Sequence, residues 1–590
     1  MDTEPNGDKM TDEIKKTVEN GERIGVIGSP SSTANITVDV LGTAMNKKLV
    51  GNLCIFGYQQ DGLDHFALGQ IAEISMRNIW AEDPTMRGLI RQRGNVPPIT
   101  EKQDVHVADM ITSAVFSVNN DKIGQSILGT VPSTGTDVKL IDEKIMDRLF
   151  FDYKSKLFYL GKVYGTNIKM PMWLHHFGSK ESGGAGEAYH IGIFGKTGSG
   201  KSRLAEMMML GYAKHKDMSI LILDPQSQFS QDLGSEGSKI KEVLAKIGKP
   251  VKIFHIKNVV LDNPTIFRDI LAISNFWEGL VRSEEYRIKA GDVMWEYLKN
   301  LMKSEEINLF QMYKKEQFQI IWDKIFSNES YLGRVYSKAY AKEFKEALDQ
   351  EGAFDSYYER WVRVAKLFTG DGRGTTTTAI TVNKLITEQF FVSQGAKPIV
   401  VVDLSKEGAP EGVLWDERIQ ALIINRILEK LTQVAEEYYK KDALLNSLVI
   451  IDEAHRLAQR EKTEEPEFEL VKQTLIDAVR TTRKYGLGWM FVSQTLSSLS
   501  RDIIDQLRVQ VFGFGLAWGI ERNALRELIG GQEEVMNLYQ SFKDPQTFLN
   551  DKPKWQFMAK GPISPLSFAE SPLFFDALDL FGDFLTINFP

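Results

Sequence analysis

From residue 188 onward the chain repeats one alternation: a short, near-continuous apolar run, then a stretch whose apolar residues recur every three or four positions. The runs lie at 190–194, 219–224, 251–255, 398–403, 448–452, 489–492 and 509–512. Runs without a polar face belong to strands covered on both sides, so with helices between most of them they predict a parallel sheet between two helical layers. One such helix is expected at 418–440, where Ile419, Leu422, Ile423, Ile427, Leu431 and Val434 share a face that should pack on the sheet. No solenoid-like repeat and no low-complexity tract interrupts this pattern.

Two stretches differ. Between 23 and 169 the apolar runs are short (24–27, 35–40, 51–56, 71–74, 105–107 and 127–131) and are punctuated by Gly, Pro, Asn and Asp, which predicts a small β-barrel or sandwich. A turn and short helix follow at 132–151. Between 264 and 396 helix formers and aromatics dominate, among them Trp277, Tyr286, Trp295, Tyr297, Phe318, Trp322, Tyr331 and Trp361. Such a stripe is read as the core of an inserted helical subdomain rather than as a base-stacking surface.

Composition narrows the class. A chain of 590 residues is longer than one hydrophobic core serves, so two or more domains are expected. The single cysteine, Cys54, excludes an intramolecular disulfide and a cysteine-rich zinc site, and fits a reducing cytoplasm. Residues 1–20 are acidic and polar, a loose leader without the basic and apolar parts of a secretory signal, and no run of about 18 uncharged apolar residues marks a membrane span. The apolar end, 572–590, is broken by Asp576, Asp579 and Asp583 and reads as a docking segment or a core helix. A net charge of −8 argues against a uniformly basic coat for nucleic acid and leaves room for a local basic pore.

The chemistry starts where the first apolar run ends. Gly195-Lys196-Thr197-Gly198-Ser199-Gly200-Lys201-Ser202 matches G-x-x-x-x-G-K-S/T, with a strand before it and a helix after it. Glycines let successive N–H groups curl around phosphates, Lys201 reaches the outer phosphates and Ser202 can hold Mg²⁺, so a nucleoside triphosphate site is expected. A second run, Leu448 to Ile451, ends in Asp452 and Glu453. Asp452 is placed to hold Mg²⁺ through water, and Glu453 to orient or deprotonate the attacking water. His455 lacks a second ligand at metal spacing and reads as a helix-start residue. Asp224, at the end of the second run, is a further candidate near the phosphates.

Arg480 and Arg483 share a helix face and can neutralise charge on a transferring phosphoryl group, in a ring on the neighbour's nucleotide. The alternative is a solvated basic helix end. Gln494, closing the run at 489–492, is placed either to sense the γ-phosphate or to brace loop backbone. Arg373, within the glycine- and threonine-rich stretch 369–378, is either a DNA-phosphate clasp in a pore or part of a linker. Asn383-Lys384-Leu385-Ile386 lacks the acid that reads guanine, which disfavours a GTP switch.

The order of these motifs, a β-rich module, Gly-Lys-Thr-Gly-Ser-Gly-Lys-Ser, Val-Ile-Ile-Asp-Glu-Ala-His, Arg-Thr-Thr-Arg-Lys-Tyr-Gly and Ser-Gln, resembles the HerA family of hexameric DNA-translocating ATPases within the HerA and FtsK group. The resemblance implies an α/β fold with a RecA-like P-loop ATPase core on a mostly parallel sheet, an N-terminal barrel of the HAS type and the helical insertion. Expected boundaries are a leader at 1–20, the barrel at 21–170, the ATPase core at 171–263 and 397–560, the insertion at 264–396 and a docking tail at 561–590. It also implies ATP and Mg²⁺, Walker roles for Lys201, Ser202, Asp452 and Glu453, a sensor role for Gln494 and a trans-acting finger at Arg483 or Arg480. Double-stranded DNA, a hexameric ring and a separate nuclease or effector, in bacteria often of an antiphage module, are the implied partners; a ring that activates an effector without moving DNA is the alternative. One departure stands out: where the family tends to carry Asp-Pro-His-Gly-Glu, this chain reads Asp224-Pro-Gln-Ser-Gln228, so the last carboxylate is missing.

Overall fold

The computed structural model describes residues 8–119, 122–277, 284–326, 329–335, 338–368, 380–392, 394–409, 412–413, 415–547, 553–567 and 571–590. Strands β1 (Arg23–Ile27), β2 (Ile36–Val40), β3 (Leu53–Gln60), β4 (Leu63–Arg77), β5 (Val105–Asn119), β6 (Lys122–Ser126) and β7 (Asp137–Leu140) pair in the order β2-β1-β7-β3-β4-β5-β6. β2 also pairs with β5, which closes six of them into an antiparallel barrel. The alternation in β2 shows why: Ile36, Val38 and Val40 face inward while Thr37 and Asp39 do not. Ile24, Val38, Cys54, Phe56, Met110 and Val115 fill the interior. Burial there pushes the Cys54 thiol far up, so it stays protonated and unreactive. β4 and β5 span 15 residues each, far beyond the apolar runs at 71–74 and 105–107, because their outer ends carry polar residues; the run at 127–131 forms no strand.

The remaining strands, a separate two-stranded pair excepted, form one sheet. They are β8 (Phe158–Val163), β9 (Lys169–Met172), β10 (Ile191–Phe194), β11 (Ser219–Asp224), β12 (Val251–His255), β15 (Ile399–Asp403), β16 (Ser447–Ile451), β17 (Leu487–Ser493), β18 (Val509–Gly513), β19 (Gln556–Lys560) and β20 (Leu573–Ala577); the separate pair is β13 (Val259–Val260) with β14 (Ile380–Thr381). The sheet order is β12-β15-β11-β16-β17-β10-β18-β19-β20-β8-β9. It is parallel from β12 to β18 and antiparallel beyond. Sequence reading stops the barrel near 170 and leaves a tail after 560, but β8, β9 and β20 are strands of this sheet. The apolar residues of that tail, Leu573 to Phe575, are buried within it.

The insertion packs on one face of the sheet and shares its core. Trp361, on helix Ala353–Ala365, has its ring against Phe267 of helix Pro264–Ile273 and against Phe276 and Phe318, and its indole N–H donates to the Met312 carbonyl at 2.7 Å. The aromatic stripe is therefore largely core, with Tyr286 exposed. The helix expected at 418–440 is Glu417–Tyr439, and all six of its named apolar residues are buried. The barrel joins the sheet through buried Gln70: its Nε2 donates to the Gly51 carbonyl (2.9 Å) and the Phe574 carbonyl (3.1 Å), and its Oε1 accepts from Phe574 N–H (2.8 Å).

His190 pins the start of β10. It is 1% exposed; Nε2 donates to the Val479 carbonyl at 2.9 Å and Nδ1 accepts from Trp489 N–H at 3.3 Å, an arrangement only the neutral ring can make. Burial holds its pKa down to about 4. A depressed histidine gives stability that is complete above its unfolded value near 6.5 and is lost as pH falls from there toward 4, since the unfolded chain then binds the extra proton. Denaturant unfolding of the wild type should therefore lose about 3 kcal/mol more across that window than His190→Gln does. Parallel pH profiles of the two proteins would remove His190 from this role.

Candidate functional site

β10 is wholly buried and delivers the loop 195–200 to helix Lys201–Ala213. The first turn of that helix has N–H groups without intrahelical acceptors and carries the positive end of its dipole, which suits it to phosphate. Lys201 is 8% exposed and its ammonium folds back to donate to the Lys196 carbonyl at 3.1 Å. Burial lowers its pKa, against the pull of Glu453 and Asp452.

β17 lies between β10 and β16, and the ends of all three strands share one edge of the sheet. This brings Lys201, Asp452, Glu453 and Gln494 together. Burial, then the neighbouring Glu453, pushes Asp452 up to about 6. Asp452 Oδ1 accepts from Glu453 N–H at 2.9 Å. Glu453 itself stands in the left-handed region (φ 49°, ψ 41°), which costs a side chain of this kind about 1–3 kcal/mol. What holds it there is visible. Its Oε1 accepts from Gln494 Nε2 at 2.8 Å, while Gln494 Oε1 accepts from the Thr197 hydroxyl at 3.1 Å. Glu453 Oε2 is buried without a hydrogen bond among the described residues and lies 3.4 Å from His455 Nδ1. One glutamine thus joins the phosphate loop to the acid, whose second oxygen has no hydrogen bond among the described residues and stands beside His455.

Not every sequence candidate faces this point. Asp224 is fully buried, and its carboxylate accepts from Gln228 N–H (3.1 Å), Ser230 N–H (2.8 Å) and the Ser230 hydroxyl (2.8 Å); it is engaged with the turn after β11 rather than free for phosphate. Arg480 and Arg483 sit at the far end of the strands. The Arg483 carbonyl accepts from Ala188 N–H, seven residues before Gly195, so about 20 Å of strand separates it from its own loop. Both guanidinium groups are half exposed, Arg480 paired with Asp502 (2.6 Å) and Arg483 with Glu187 (3.5 Å). Ser202 opens the helix beside Lys201. The Lys196 side chain lies against Gly515, whose φ of 103° suits only glycine. Arg373 lies outside the described residues.

Sequence reading includes Ser199 in the loop and missed two groups beside it, Gln546 and Trp555. Ser199 Oγ is buried with no hydrogen bond among the described residues, Gln546 approaches Gly198, and Trp555 lies against Gly200. Ser199 was legible as a loop position; no spacing marks Gln546 or Trp555, which come from far along the chain.

A phosphate loop and an acidic strand end, one strand apart, with a glutamine just past the end of the strand between, define a P-loop ATPase. Residues 188–463 match the family model described as Helicase HerA, central domain. The match holds the phosphate loop and both acids and ends before the arginines and Gln494. No curated protein matches in sequence. Solved structures with partial likeness include VirB4 of Thermoanaerobacter pseudethanolicus (16% identity, TM-score 0.34, 66% of this chain and 89% of that one). Others are the bacterial conjugative coupling protein TrwB (11%, 0.37, 75% and 92%) and the genome packaging NTPase B204 from Sulfolobus turreted icosahedral virus 2 in complex with AMPPCP (12%, 0.26, 66% and 98%).

Glu453→Gln should leave ATP binding within experimental error and slow phosphate release at least about 100-fold, the usual worth of a general base. Equilibrium binding and steady-state turnover on the same preparation check it; turnover near the wild-type rate would assign the base elsewhere.

Proposed function

We propose that this ATPase works as a ring, a hexamer, that moves along double-stranded DNA and serves a separate nuclease or other effector in the cytoplasm, in antiphage defence or DNA end processing. The observation that carries the ring is the position of the arginines. Arg480 and Arg483 are too far from their own phosphate loop to touch its γ-phosphate, yet half exposed, as a finger offered to a neighbour must be.

The hydrolytic step follows from the residues at the shared edge. Lys201 and the loop amides hold the phosphates; Glu453, through Oε2, takes a proton from the attacking water; Gln494, tied to both Thr197 and Glu453, keeps the acid at the γ-phosphate end. The donor set suits Mg²⁺. A hydroxyl at Ser202 and a buried Asp452 whose ionisation is disfavoured beside Glu453 together call for a cation, and magnesium bound with nucleotide needs only one or two protein ligands. Mg²⁺ there would neutralise charge on the β- and γ-phosphates.

In this reading the barrel of β1 to β7, the ATPase sheet with its helices, β8, β9 and β20 included, and the insertion at 264–396 are the functional units, and the stretch around Arg373 contributes phosphate contacts to a pore. DNA binding would then be sequence-independent and salt-sensitive. No helix among the described residues is long and apolar enough to cross a membrane.

Arg483→Ala should reduce turnover by about 10³ or more while sparing ATP binding. Mixing that variant with Lys201→Ala subunits, each inactive alone, should restore part of the activity, because one supplies the loop and the other the arginine. Absence of rescue, with Arg480→Ala giving none either, would remove the finger from both residues. Displacement of streptavidin from biotinylated duplex DNA, dependent on ATP, tests translocation; a ring that hydrolyses ATP on DNA and leaves the roadblock in place would be a regulatory one.

A further inference from the structure

We propose that Trp555 and Phe581, both from the last part of the chain, form an aromatic platform for the purine base of the bound nucleotide; this rests on the reading of 195–202 as the ATP phosphate loop. The sheet order sets the direction. On one side of β10 stand β17 and β16, which carry Gln494, Asp452 and Glu453, so the γ-phosphate points that way. On the other side stand β18, β19 and β20. A nucleotide lying along the loop with its γ-phosphate toward the acids puts its α-phosphate and nucleoside at the start of helix Lys201–Ala213, toward the C-terminal strands.

Two aromatic rings lie at that place. Trp555, immediately before β19, rests on Gly200 so closely that a Cβ there would come within 2.6 Å of its Cδ1, and Gly200 has a φ of 87°. Glycine at this position thus serves the turn and makes room for the indole. Phe581, shortly after β20, lies with its ring 5.2 Å from the Arg203 guanidinium, two residues beyond Lys201. Arg203 is held by Glu206 (2.8 Å) and Asp232 (3.2 Å), which fixes the plane it presents. Trp555 is half-buried and Phe581 is 41% exposed, so aromatic surface remains open beside the helix start. A purine stacks on indole, phenyl and guanidinium faces alike.

The test compares ATP with inorganic tripolyphosphate, each with Mg²⁺, as competitors of a fluorescent ADP analogue on the full-length protein. Trp555→Ala should raise the ATP dissociation constant about tenfold and leave that of tripolyphosphate within about twofold, the signature of a lost stacking partner. Trp555→Phe should recover most of the loss. Phe581→Ala, which removes an exposed ring, should weaken ATP in the same selective way and carries the test if Trp555→Ala does not fold. Unchanged ATP affinity, or equal weakening of both ligands, overturns the platform. Lys201→Ala separates the two readings: it should weaken ATP and tripolyphosphate together, and if it weakens neither, the phosphate-loop assignment falls and the platform with it.

Discussion

Lys201, Asp452 and Glu453 share one buried edge of the sheet, and Lys201 and Asp452 are each disfavoured in their charged form by their surroundings. Burial lowers Lys201 and raises Asp452, and the two acids repel each other. The arrangement is tolerable because the opposite charges face one another, and a triphosphate with its cation would complete the balance. Much of the architecture near the site serves this convergence. β10 and β16 have to end on the same edge, β17 has to stand between them to bring Gln494 to the acid, and the backbone at Glu453 is bent into the left-handed region so that its carboxylate turns back to the loop.

The sheet is also what makes one body of distant parts of the chain. β8 and β9 precede the phosphate loop in sequence, and β19 and β20 come from the last forty residues, yet β20 pairs with β8. The barrel is fixed to that seam by Gln70, which makes three hydrogen bonds in a site where any one left unmade would leave a buried polar group unpaired. From barrel to phosphate loop the path therefore runs through hydrogen-bonded backbone: β20, β19, β18, β10. Asn537, on helix Glu533–Gln540, adds a second tie to Glu73 of β4.

What the sequence made legible follows from how local each signal is. The near-continuous apolar runs follow from burial on both faces, complete in every strand but the edge strand β12, which is half-buried, and every one of them is a strand of the parallel half; the phosphate loop and the acids were readable because each is a contiguous motif at the end of such a run. The antiparallel half was not. Leu573 to Ala577 carries Asp576 and lies too near Asp579 and Asp583 to announce a central strand, and only its pairing with residues near 161 makes it one. Asp224 illustrates the opposite error: a carboxylate at the right strand end whose oxygens are taken by Gln228 and Ser230, a local turn that its spacing does not reveal. Gln546 and Trp555 reach the loop only through the fold of the last strands.

The far ends of the strands show a different use of the same scaffold. His190 accepts from Trp489 N–H and donates to the Val479 carbonyl, so it bonds β10, β17 and the helix bearing Arg480 in one buried contact. Arg483 lies a turn further on, and its carbonyl holds Ala188 at the approach to β10. The segment that leads into the phosphate loop and the segment that carries the arginines are thus a single rigid unit, read at its two ends. In the proposed ring, any tilt of this unit would move the loop of one site and the arginine proposed for the next by the same rotation. Coupling between neighbouring sites would then need no separate device, since the strand that delivers the phosphate loop would itself be the lever arm of the proposed finger.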